Sequence, residues 1–482
     1  MKKTSDLTQG KPLKTLFTFM TPILVGNVFQ QLYSMVDAII VGQTISPLAL
    51  GGIGATGSIS FLIISFTMGL TAGFSVHTAQ RFGAKDFEGV RRSIAHGIIL
   101  AFVFALFLTI LSVYLARPML QVMKTSVDLV DYAYDYVIVI FAGMIATMFY
   151  NLFSNILRAI GDSVTPLVFL IVASILNIGL DFLFILKFNM GVAGAGYATV
   201  ISQVVAASCC IVYTFIRYPM FRICSKHFLL DSKTFHSELT LGIPMALQFS
   251  LISIGLLFVQ VAINSLGNDH VIAFTAAVKI DTLAAQFMLS VGLSLAVFTG
   301  QNFGAKRFDR IQAGIRSGVF LSVIGAIIFG TLVITLSKPL TMLFVGDSYE
   351  RIYELSGIYL KVNGSFYFVL GLLGVFRNVL QGISRSMLVL VAGGIELLSR
   401  TVFSFISLEY FGYTGICFCA VITWVLTTIY LIITYFFVAP KAKLQCVNSS
   451  TTESANGKNL DPYIAQTSSK NSKSMDKLLI IR

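Results

Sequence analysis

The sequence predicts an all-α polytopic membrane protein with 12 transmembrane helices, and three observations support this fold class. Of its 482 residues, 56% are hydrophobic and only 12% are charged, whereas about a quarter of a soluble globular chain is charged. Apolar runs at 16–41 and 98–115 approach or exceed the roughly 20 residues with which a helix crosses a bilayer. The stretch TAQRFGAKDF, from Thr78, returns as TGQNFGAKRF from Thr299, at an offset of 299 − 78 = 221.

The lengths of the apolar runs and the positions of loop residues give the order of the helices. The first apolar segment is longer than a cleavable signal, whose apolar core has at most about 15 residues, so we expect it to remain as the first membrane helix. The twelve predicted helices span residues 15–42, 48–76, 93–116, 127–152, 164–186, 191–216, 237–264, 269–299, 312–336, 350–376, 386–410 and 413–438.

Lysines and arginines mark one side of the membrane. An even number of helices places both termini on the same side, and the loops on that side hold most of the cations, among them Lys85, Arg222 and Lys306. By the positive-inside rule, we expect a multi-pass protein of the cell (inner) membrane with both termini in the cytoplasm. The same asymmetry accounts for the net charge of +12, so this charge does not indicate a nucleic acid partner.

The repeat predicts two lobes. NILRAIGDS from Asn155 matches NVLQGISRS from Asn378, and Pro22 matches Pro244, so the offset stays nearly constant (378 − 155 = 223 and 244 − 22 = 222). Both halves have six helices and run in the same sense, which implies two six-helix lobes related by a pseudo-two-fold axis along the membrane normal. The last segment is polar and low in complexity, which is typical of disorder. The predicted segments are a cytoplasmic N-terminal segment (1–14), an N-lobe (15–218), a cytoplasmic linker (219–236), a C-lobe (237–440) and a disordered cytoplasmic tail (441–482).

Several motifs occur in order over residues 10–440: PILVGNVFQQLYSMVDAIIVG, QRFGAKD, LRAIGDSVTP, GVAGAGYAT, VKIDTL and GGIELLSR. Together they resemble the motifs of the multidrug and toxic compound extrusion (MATE) transporters of the bacterial type. This resemblance implies a V-shaped fold of two six-helix lobes in the lipid bilayer. It also implies export of small organic molecules in exchange for entry of Na⁺ or H⁺.

Oxygen-bearing side chains in the N-lobe lie at a similar depth in the membrane. An ionisable residue there costs several kcal/mol unless it is paired or hydrated, and Asp37 and Asp181 lie inside predicted helices, away from their ends. Asn177 is one turn from Asp181 on the same helix face, and Thr199 is about 12 Å along its helix. Oxygen ligands suit a small hard cation, whereas a proton needs only one carboxylate in a dry site.

The matching positions form the N-lobe cation site in the MATE proteins that this chain resembles. The resemblance therefore assigns Asp37, Asn177, Asp181 and Thr199 to the binding of Na⁺ or H⁺. For Asn177 and Thr199, a purely structural hydrogen bond between helices is the alternative.

The repeat provides an internal comparison for this site. The offset takes the two aspartates to Val259 and Ser404, and the asparagine to Arg400. The second lobe therefore keeps the scaffold and lacks the set of oxygen ligands, so we expect a cation site in the N-lobe only.

The C-lobe carries its own charges near mid-depth. They are Lys279 and Asp281 on the eighth predicted helix, and Glu396 and Arg400 on the eleventh. Glu396 and Arg400 are four residues apart with the acid first, a spacing that favours an ion pair. All four are candidates for lining a substrate cavity, and the alternative is a closed network that holds two helices together.

Motifs of enzymes and cofactor sites give no competing hypothesis. GGIGATG has dinucleotide-binding spacing, but that motif needs a preceding strand, and here it lies inside a membrane helix, where small residues favour close packing. The sequence contains no HExxH, no GxSxG and no phosphate loop ending in GKS or GKT. We therefore expect no enzyme activity and no cofactor apart from the coupling ion, so transport must be driven by an ion gradient.

Together these features predict a monomeric secondary active antiporter. It would export organic, amphipathic and cationic compounds, as in multidrug or natural-product efflux, in exchange for Na⁺ or H⁺ by alternating access. The alternative is a flippase for lipid-linked precursors from the same superfamily, which would need a more strongly basic cavity.

Overall fold

The computed structural model describes residues 6–123, 126–229, 231–346 and 349–455. All regular elements in these ranges are helices, which confirms the all-α class. The α-helices are α1 (Pro12–Thr44), α2 (Pro47–Gly83), α3 (Phe87–Val122), α4 (Val127–Ala142), α5 (Met144–Ala159), α6 (Val164–Asp181), α7 (Gly191–Arg217), α8 (Ser232–Asn264), α9 (Asn268–Gly304), α10 (Phe308–Thr335), α11 (Ser337–Val345), α12 (Glu350–Ser365), α13 (Tyr367–Gly382) and α14 (Ser386–Ala455).

The number of candidate membrane spans agrees with the prediction. Among the described residues, nine helices are long and apolar enough to cross a bilayer, and two bent helix pairs raise the number to eleven. The span in α14 is 55 residues long, about 80 Å at 1.5 Å per residue, which is more than twice the thickness of a bilayer core. Gly412, with φ of 58°, interrupts α14. Counting its two segments separately gives the twelve predicted helices of a multi-pass membrane protein.

Two of the twelve spans are bent. The predicted helices at 127–152 and 350–376 are each two helices, with angles of 50° between α4 and α5 and 49° between α12 and α13. The breaks fall at Gly143 and Phe366, which the repeat offset relates to each other (366 − 143 = 223). The bend is therefore a property of the repeated unit, although the apolar pattern continues through it.

Several helices extend beyond their predicted ends. α3 begins at Phe87 instead of residue 93, and α8 begins at Ser232 instead of residue 237. Asp86 and Asp231 precede these helices, and their carboxylates accept hydrogen bonds from the first-turn backbone N–H groups. Hydropathy marks only the part of a helix that lies in the bilayer, so capped polar turns outside it escape the apolar pattern.

The repeat is also present in the backbone. Three turns have a residue in the left-handed region, and the same turns recur in the other half at an offset of 221 or 223. The pairs are Lys85 (φ 58°) with Lys306 (φ 58°), Gly161 (φ 90°) with Ser384 (φ 62°), and Gly191 (φ 59°) with Gly412 (φ 58°). A non-glycine residue with positive φ is uncommon, so matching turns confirm that the two halves share one fold.

The two halves meet at the end of the helix bundle that carries Lys85, Arg222 and Lys306, which we call the basic end. The Gln80 Nε2 of α2 donates to the backbone oxygen of Gly382 at 2.7 Å. In return, the Gln301 Nε2 of α9 donates to the backbone oxygen of Ala159 at 2.8 Å. The two donors are repeat equivalents and so are the two acceptors, so the contact is reciprocal about the pseudo-two-fold axis.

Glycines allow the backbones to touch at this contact. A Cβ at Gly83 would overlap the backbone carbonyl of Gln301, and a Cβ at Gly304 would overlap that of Gln80. These two glycines are also repeat equivalents (304 − 83 = 221). We refer to Gln80, Gly83, Gln301 and Gly304 together as the lobe seal.

The chain before α1 adds to the same end of the bundle. Leu7 is buried, and its backbone N–H donates to Gln301 Oε1 at 3.0 Å. Arg310 of α10 donates to the backbone oxygens of Leu7 and Gly10. The segment predicted at 1–14 is therefore anchored on α9 and α10 over its described part.

Contacts join the described residues up to Tyr435 into one compact unit. The predicted boundaries of the lobes and linker stay predictions. Between α7 and α8 the chain forms two short turns, Pro219–Phe221 and Ser225–Phe228. Disorder of the tail at 441–482 also stays a prediction, because α14 continues as helix to Ala455 and residues 456–482 lie outside those described.

Replacing Gly83 by Ala should weaken the lobe seal, because the new methyl group would overlap the Gln301 carbonyl. Overpacking of this kind costs about 1–3 kcal/mol, so we expect a lower midpoint of thermal unfolding in detergent. Gly54→Ala on the same helix is the matched control, since nothing lies within 4 Å of its added Cβ. Equal midpoints for the two variants would contradict this account of the seal.

Candidate functional site

The predicted cation site forms a single cluster in the N-lobe. Asp181 and Asn177 of α6 are fully buried, and Asp37 lies on α1. The Asp37 and Asp181 carboxyl groups lie close enough to interact with each other. Two neighbouring carboxylates in a buried site repel each other, so a proton or a metal cation between them lowers the free energy of the pair.

Asn177 connects the cluster to the neighbouring helices. With its amide oriented to satisfy both ends, the nitrogen donates to Asp181 Oδ2 at 3.0 Å and to the Tyr33 hydroxyl at 3.1 Å. The amide oxygen then accepts from the Thr199 backbone N–H at 3.0 Å. The Tyr33 hydroxyl also lies close enough to the Thr199 side chain to interact with it. Asn177 and Thr199 therefore do make the interhelical hydrogen bonds of the structural alternative, and these bonds also hold the carboxyl pair in place.

Two oxygen atoms of the cluster are available to a ligand. Asp37 Oδ1 and Asp181 Oδ1 are buried, and neither has a hydrogen-bond partner in the described chain. Buried carboxylate oxygens are costly without a partner, and oxygens are the ligands that hard cations prefer. The cluster therefore fits one monovalent cation, either a proton shared by the two carboxyl groups or Na⁺ between them.

The backbone changes immediately after Asp181. Residues Phe182–Lys187 form a π-helical turn, where the sequence predicted a continuous α-helix to residue 186. In this wide turn the Phe188 N–H donates to the Leu183 oxygen at 3.1 Å. Such turns are rare and frequently lie at functional sites.

The C-lobe has a different arrangement at the equivalent positions. Val259 and Ser404, which replace the two aspartates, are both buried. Arg400 replaces Asn177, and its Cδ lies 3.1 Å from an ideal Cβ at Gly255, the repeat equivalent of Tyr33. The larger arginine thus occupies the space that the tyrosine ring fills in the N-lobe, and the pair of carboxyl groups has no counterpart among the described residues there.

The other C-lobe candidates lie at separate places. Asp281 accepts a hydrogen bond from the Tyr367 hydroxyl at 2.7 Å, and the Tyr359 hydroxyl lies close to the same carboxylate. Lys279, two residues before Asp281, is exposed. Residues two apart on a helix point in different directions, so these two side chains do not face each other. Asp281 is therefore held by tyrosines and does not pair with Lys279.

The predicted ion pair between Glu396 and Arg400 is wrong. Glu396 instead pairs with Arg377 of α13, a residue that the sequence placed in a loop. The Nε and Nη1 atoms of Arg400 are buried without a hydrogen-bond partner among the described residues. The i,i+4 spacing allowed one partner, but α13 brings a second guanidinium to Glu396 from another helix.

A cavity of about 260 Å³ adjoins the cation cluster in the N-lobe. Tyr136 and Thr199 belong to its wall, and Tyr136 also lies close enough to Asp37 and Asp181 to interact with their charges. The side chains that line the rest of it include polar and aromatic ones, among them Gln30, Thr56, Ser60, Met68, Tyr150, Asn151 and Gln203.

Three residues around these sites were missed by the sequence reasoning. Tyr33 and Tyr136 contribute hydroxyl groups next to the carboxyl pair, and Arg377 neutralises Glu396. Tyrosines are common in membrane helices, so only their position relative to Asp37 could have indicated a role. Tyr33 is four residues before Asp37, one helical turn away on the same face, and this spacing was the available signal.

The fold and its buried polar clusters define a polytopic membrane transporter rather than an enzyme. The model of the MatE family matches residues 22–183 and 244–406, one stretch in each half of the repeat. This match covers more than half of the chain, and the chain belongs to the MatE family, as the motifs in its sequence indicated.

Similar proteins are known across almost the whole chain. The probable multidrug resistance protein YpnP of Bacillus subtilis (strain 168) is 28% identical over 397 residues, which cover 81% of this chain and 86% of the relative. The probable multidrug resistance protein NorM of Thermotoga maritima is 26% identical over 408 residues, covering 83% and 86%. The solved structure of a MOP superfamily transporter from Pyrococcus furiosus has a TM-score of 0.86 at 24% identity, covers 92% of this chain and 99% of its own, and shares the fold.

Cation binding at the carboxyl pair should stabilise the folded protein. If Na⁺ is the ligand, adding it at neutral pH should raise the midpoint of thermal unfolding, and a concentration 100 times Kd would contribute about 2.7 kcal/mol. If the ligand is a proton, lowering the pH should raise the midpoint and Na⁺ should have no effect. Asp37→Asn and Asp181→Asn should remove whichever response is seen, whereas Asp128→Asn, an exposed carboxylate on α4, should keep it. Retention of the response in both site variants would exclude this site.

A double-mutant cycle decides between the two interpretations of Glu396. Glu396→Gln should destabilise the protein by about 3–5 kcal/mol, because it leaves the Arg377 guanidinium buried without its partner. If the pair is only structural, the double variant Arg377→Met with Glu396→Gln should recover both thermal stability and transport. Recovered stability with lost transport would instead show that the charged pair takes part in transport.

Proposed function

We propose that this protein is a secondary active antiporter that exports organic, amphipathic cations in exchange for Na⁺ or H⁺. The observation that carries the proposal is the close pair of buried carboxyl groups of Asp37 and Asp181, present in one lobe and replaced in the other. Apolar residues would fill a structural position at less cost. The two buried carboxyl groups need a cation between them, and this need would draw Na⁺ or H⁺ into the transporter.

The cavity beside the pair supports a coupling between ion and substrate. Tyr136 and Thr199 face both the cavity and the cation cluster, so a substrate in the cavity and a cation at the carboxyl pair act on the same side chains. Tyrosine rings suit organic cations, and Met68 can adapt to varied shapes. Cation entry would then favour release of the substrate.

The packing of the lobes supports alternating access. We assign the basic end to the cytoplasm by the positive-inside rule, with both termini on that side of the cell membrane and a monomer as the functional unit. The lobe seal then closes the cytoplasmic side, and the protein faces outward. Opening the seal, with closure at the other end, would give the inward-facing state.

The names of the relatives agree with drug export, since the Bacillus and Thermotoga proteins are described as probable multidrug resistance proteins.

A flippase for lipid-linked precursors is less favoured. Such a substrate carries a pyrophosphate, which needs several available cations, and Arg377 is already neutralised by Glu396 while Lys279 is exposed away from Asp281.

Transport of ethidium by the purified protein in proteoliposomes tests the proposal. Imposed Na⁺ and pH gradients, applied in turn, should identify the coupling ion, and a membrane potential of 100 mV contributes about 2.3 kcal/mol per charge moved. Asp37→Asn should abolish gradient-driven export, because the amide has neither a negative charge to attract Na⁺ nor a carboxyl proton to exchange, while Asp128→Asn should transport normally. Full gradient-driven export by Asp37→Asn would refute the proposed role of the pair.

A further inference from the structure

Glu238 of α8 is a buried acid that the cation site does not use. Its side chain is fully buried, and its Oε1 accepts a hydrogen bond from the Ser93 hydroxyl of α3 at 2.8 Å. Its Oε2 is buried without a partner among the described residues. Burying a carboxylate with an unpartnered oxygen costs several kcal/mol, whereas the neutral acid avoids most of this cost. The closed packing around Glu238 therefore favours its protonated form.

This acid lies on the contact between the two lobes. Gly242 is one turn further along the same face of α8 and packs so closely on α2 that a Cβ at Gly73 would overlap its backbone. Ser93, the partner of Glu238, also shares a hydrogen bond with Thr78 at 2.9 Å, and Thr78 is two residues before Gln80 of the lobe seal. The chain from Glu238 to Thr78 thus crosses from one lobe to the other beside the seal.

The repeat shows that an acid is not needed for the fold at this position. The offset of 222 that relates Pro22 to Pro244 takes Glu238 to Leu16, which is buried. A leucine therefore fills the equivalent place in the N-lobe. A glutamine could also accept the hydrogen bond from Ser93 without any charge to bury. What a glutamate adds, compared with either residue, is the ability to bind and release a proton.

The titratable neighbours on each packed element are few. On α2, His77 accepts a hydrogen bond from Arg81 Nε at 3.4 Å, and on α3, His96 accepts one from the Asp231 backbone N–H at 3.0 Å, so both rings present an unprotonated nitrogen. α9 has no titratable side chain from Thr282 to its end. Arg92 of α3 is exposed.

Asp231 lies immediately before α8, the helix that carries Glu238. The hydrogen bond from the Thr234 hydroxyl lowers the pKa of Asp231, so this carboxylate stays ionised at neutral and alkaline pH. It is a fixed charge over that range and does not compete with Glu238 for the proton.

We propose that Glu238 is a proton-binding site that holds the two lobes together at the basic end. In the closed state the neutral acid is buried between the lobes, and opening of the seal exposes it to water, where it ionises. The closed state then binds the proton more tightly than the open one, so raising the pH shifts the equilibrium towards the open seal. For one proton the shift is at most about tenfold per pH unit. This inference rests on the alternating access of the proposed function.

The test measures the separation of the lobes directly. Spin labels at Ala84→Cys and Gln312→Cys, both exposed positions at the basic end of opposite lobes, report it by pulsed electron resonance in a variant without the six native cysteines. In proteoliposomes, from about pH 5 to about pH 9, the population with separated lobes should rise with pH. Glu238→Gln and Glu238→Leu should stay closed across the range, whereas Glu354→Gln, an exposed acid of α12, should respond like the unaltered protein.

Two further measurements keep the result separate from the proposed ion exchange. The pH response should persist in Asp37→Asn, so that a failure of the cation site leaves the Glu238 result intact. The infrared difference spectrum between the closed unaltered protein and Glu238→Gln should contain a band of a protonated carboxyl group, because any proton shared by Asp37 and Asp181 is common to both and cancels. A pH response that survives Glu238→Gln but is lost in His77→Gln or His96→Gln would overturn the proposal. So would the absence of any response in the unaltered protein, or of the infrared band.

Discussion

The reciprocal contact of Gln80 and Gln301 is the interaction on which the arrangement of the two lobes depends. Each glutamine donates to a backbone oxygen at the end of a helix in the other lobe, and Gly83 and Gly304 let the backbones approach closely enough for this. Gln301 is fully buried, and a buried amide is costly to leave without a partner. Because a two-fold axis relates the two contacts, breaking one by moving the lobes apart also breaks the other, so the seal has two discrete states.

Against this symmetric scaffold, the buried acids are placed asymmetrically. Asp37 and Asp181 occur only in the N-lobe and Glu238 only in the C-lobe, with valine, serine and leucine at the equivalent positions of the opposite lobe. Uncharged residues therefore satisfy the shared scaffold at these positions in one copy. An ionisable group there costs free energy in the other copy, which the proposed cycle of cation binding and release would account for.

The sequence predicted the number of spans, the repeat and the clustering of Asp37 with Asn177, Asp181 and Thr199, because all of these follow from hydropathy or from helix periodicity. It did not predict the bends at Gly143 and Phe366, through which the apolar pattern continues. It also placed Glu238 at a helix start and Arg377 in a loop. Glu238 is buried and Arg377 is partly buried, each in contact with another helix, and hydropathy along one helix carries no information about such contacts.

The π-helical turn after Asp181 explains a small irregularity in the repeat. The left-handed turns at Gly161 and Gly191 in the N-lobe have a sequence separation of 191 − 161 = 30, whereas those at Ser384 and Gly412 in the C-lobe have a separation of 412 − 384 = 28. The two additional residues fall between Asp181 and Gly191, where the π-helical turn widens the helix. The two copies therefore differ in length as well as by substitutions, and the difference lies directly beside one member of the buried carboxyl pair.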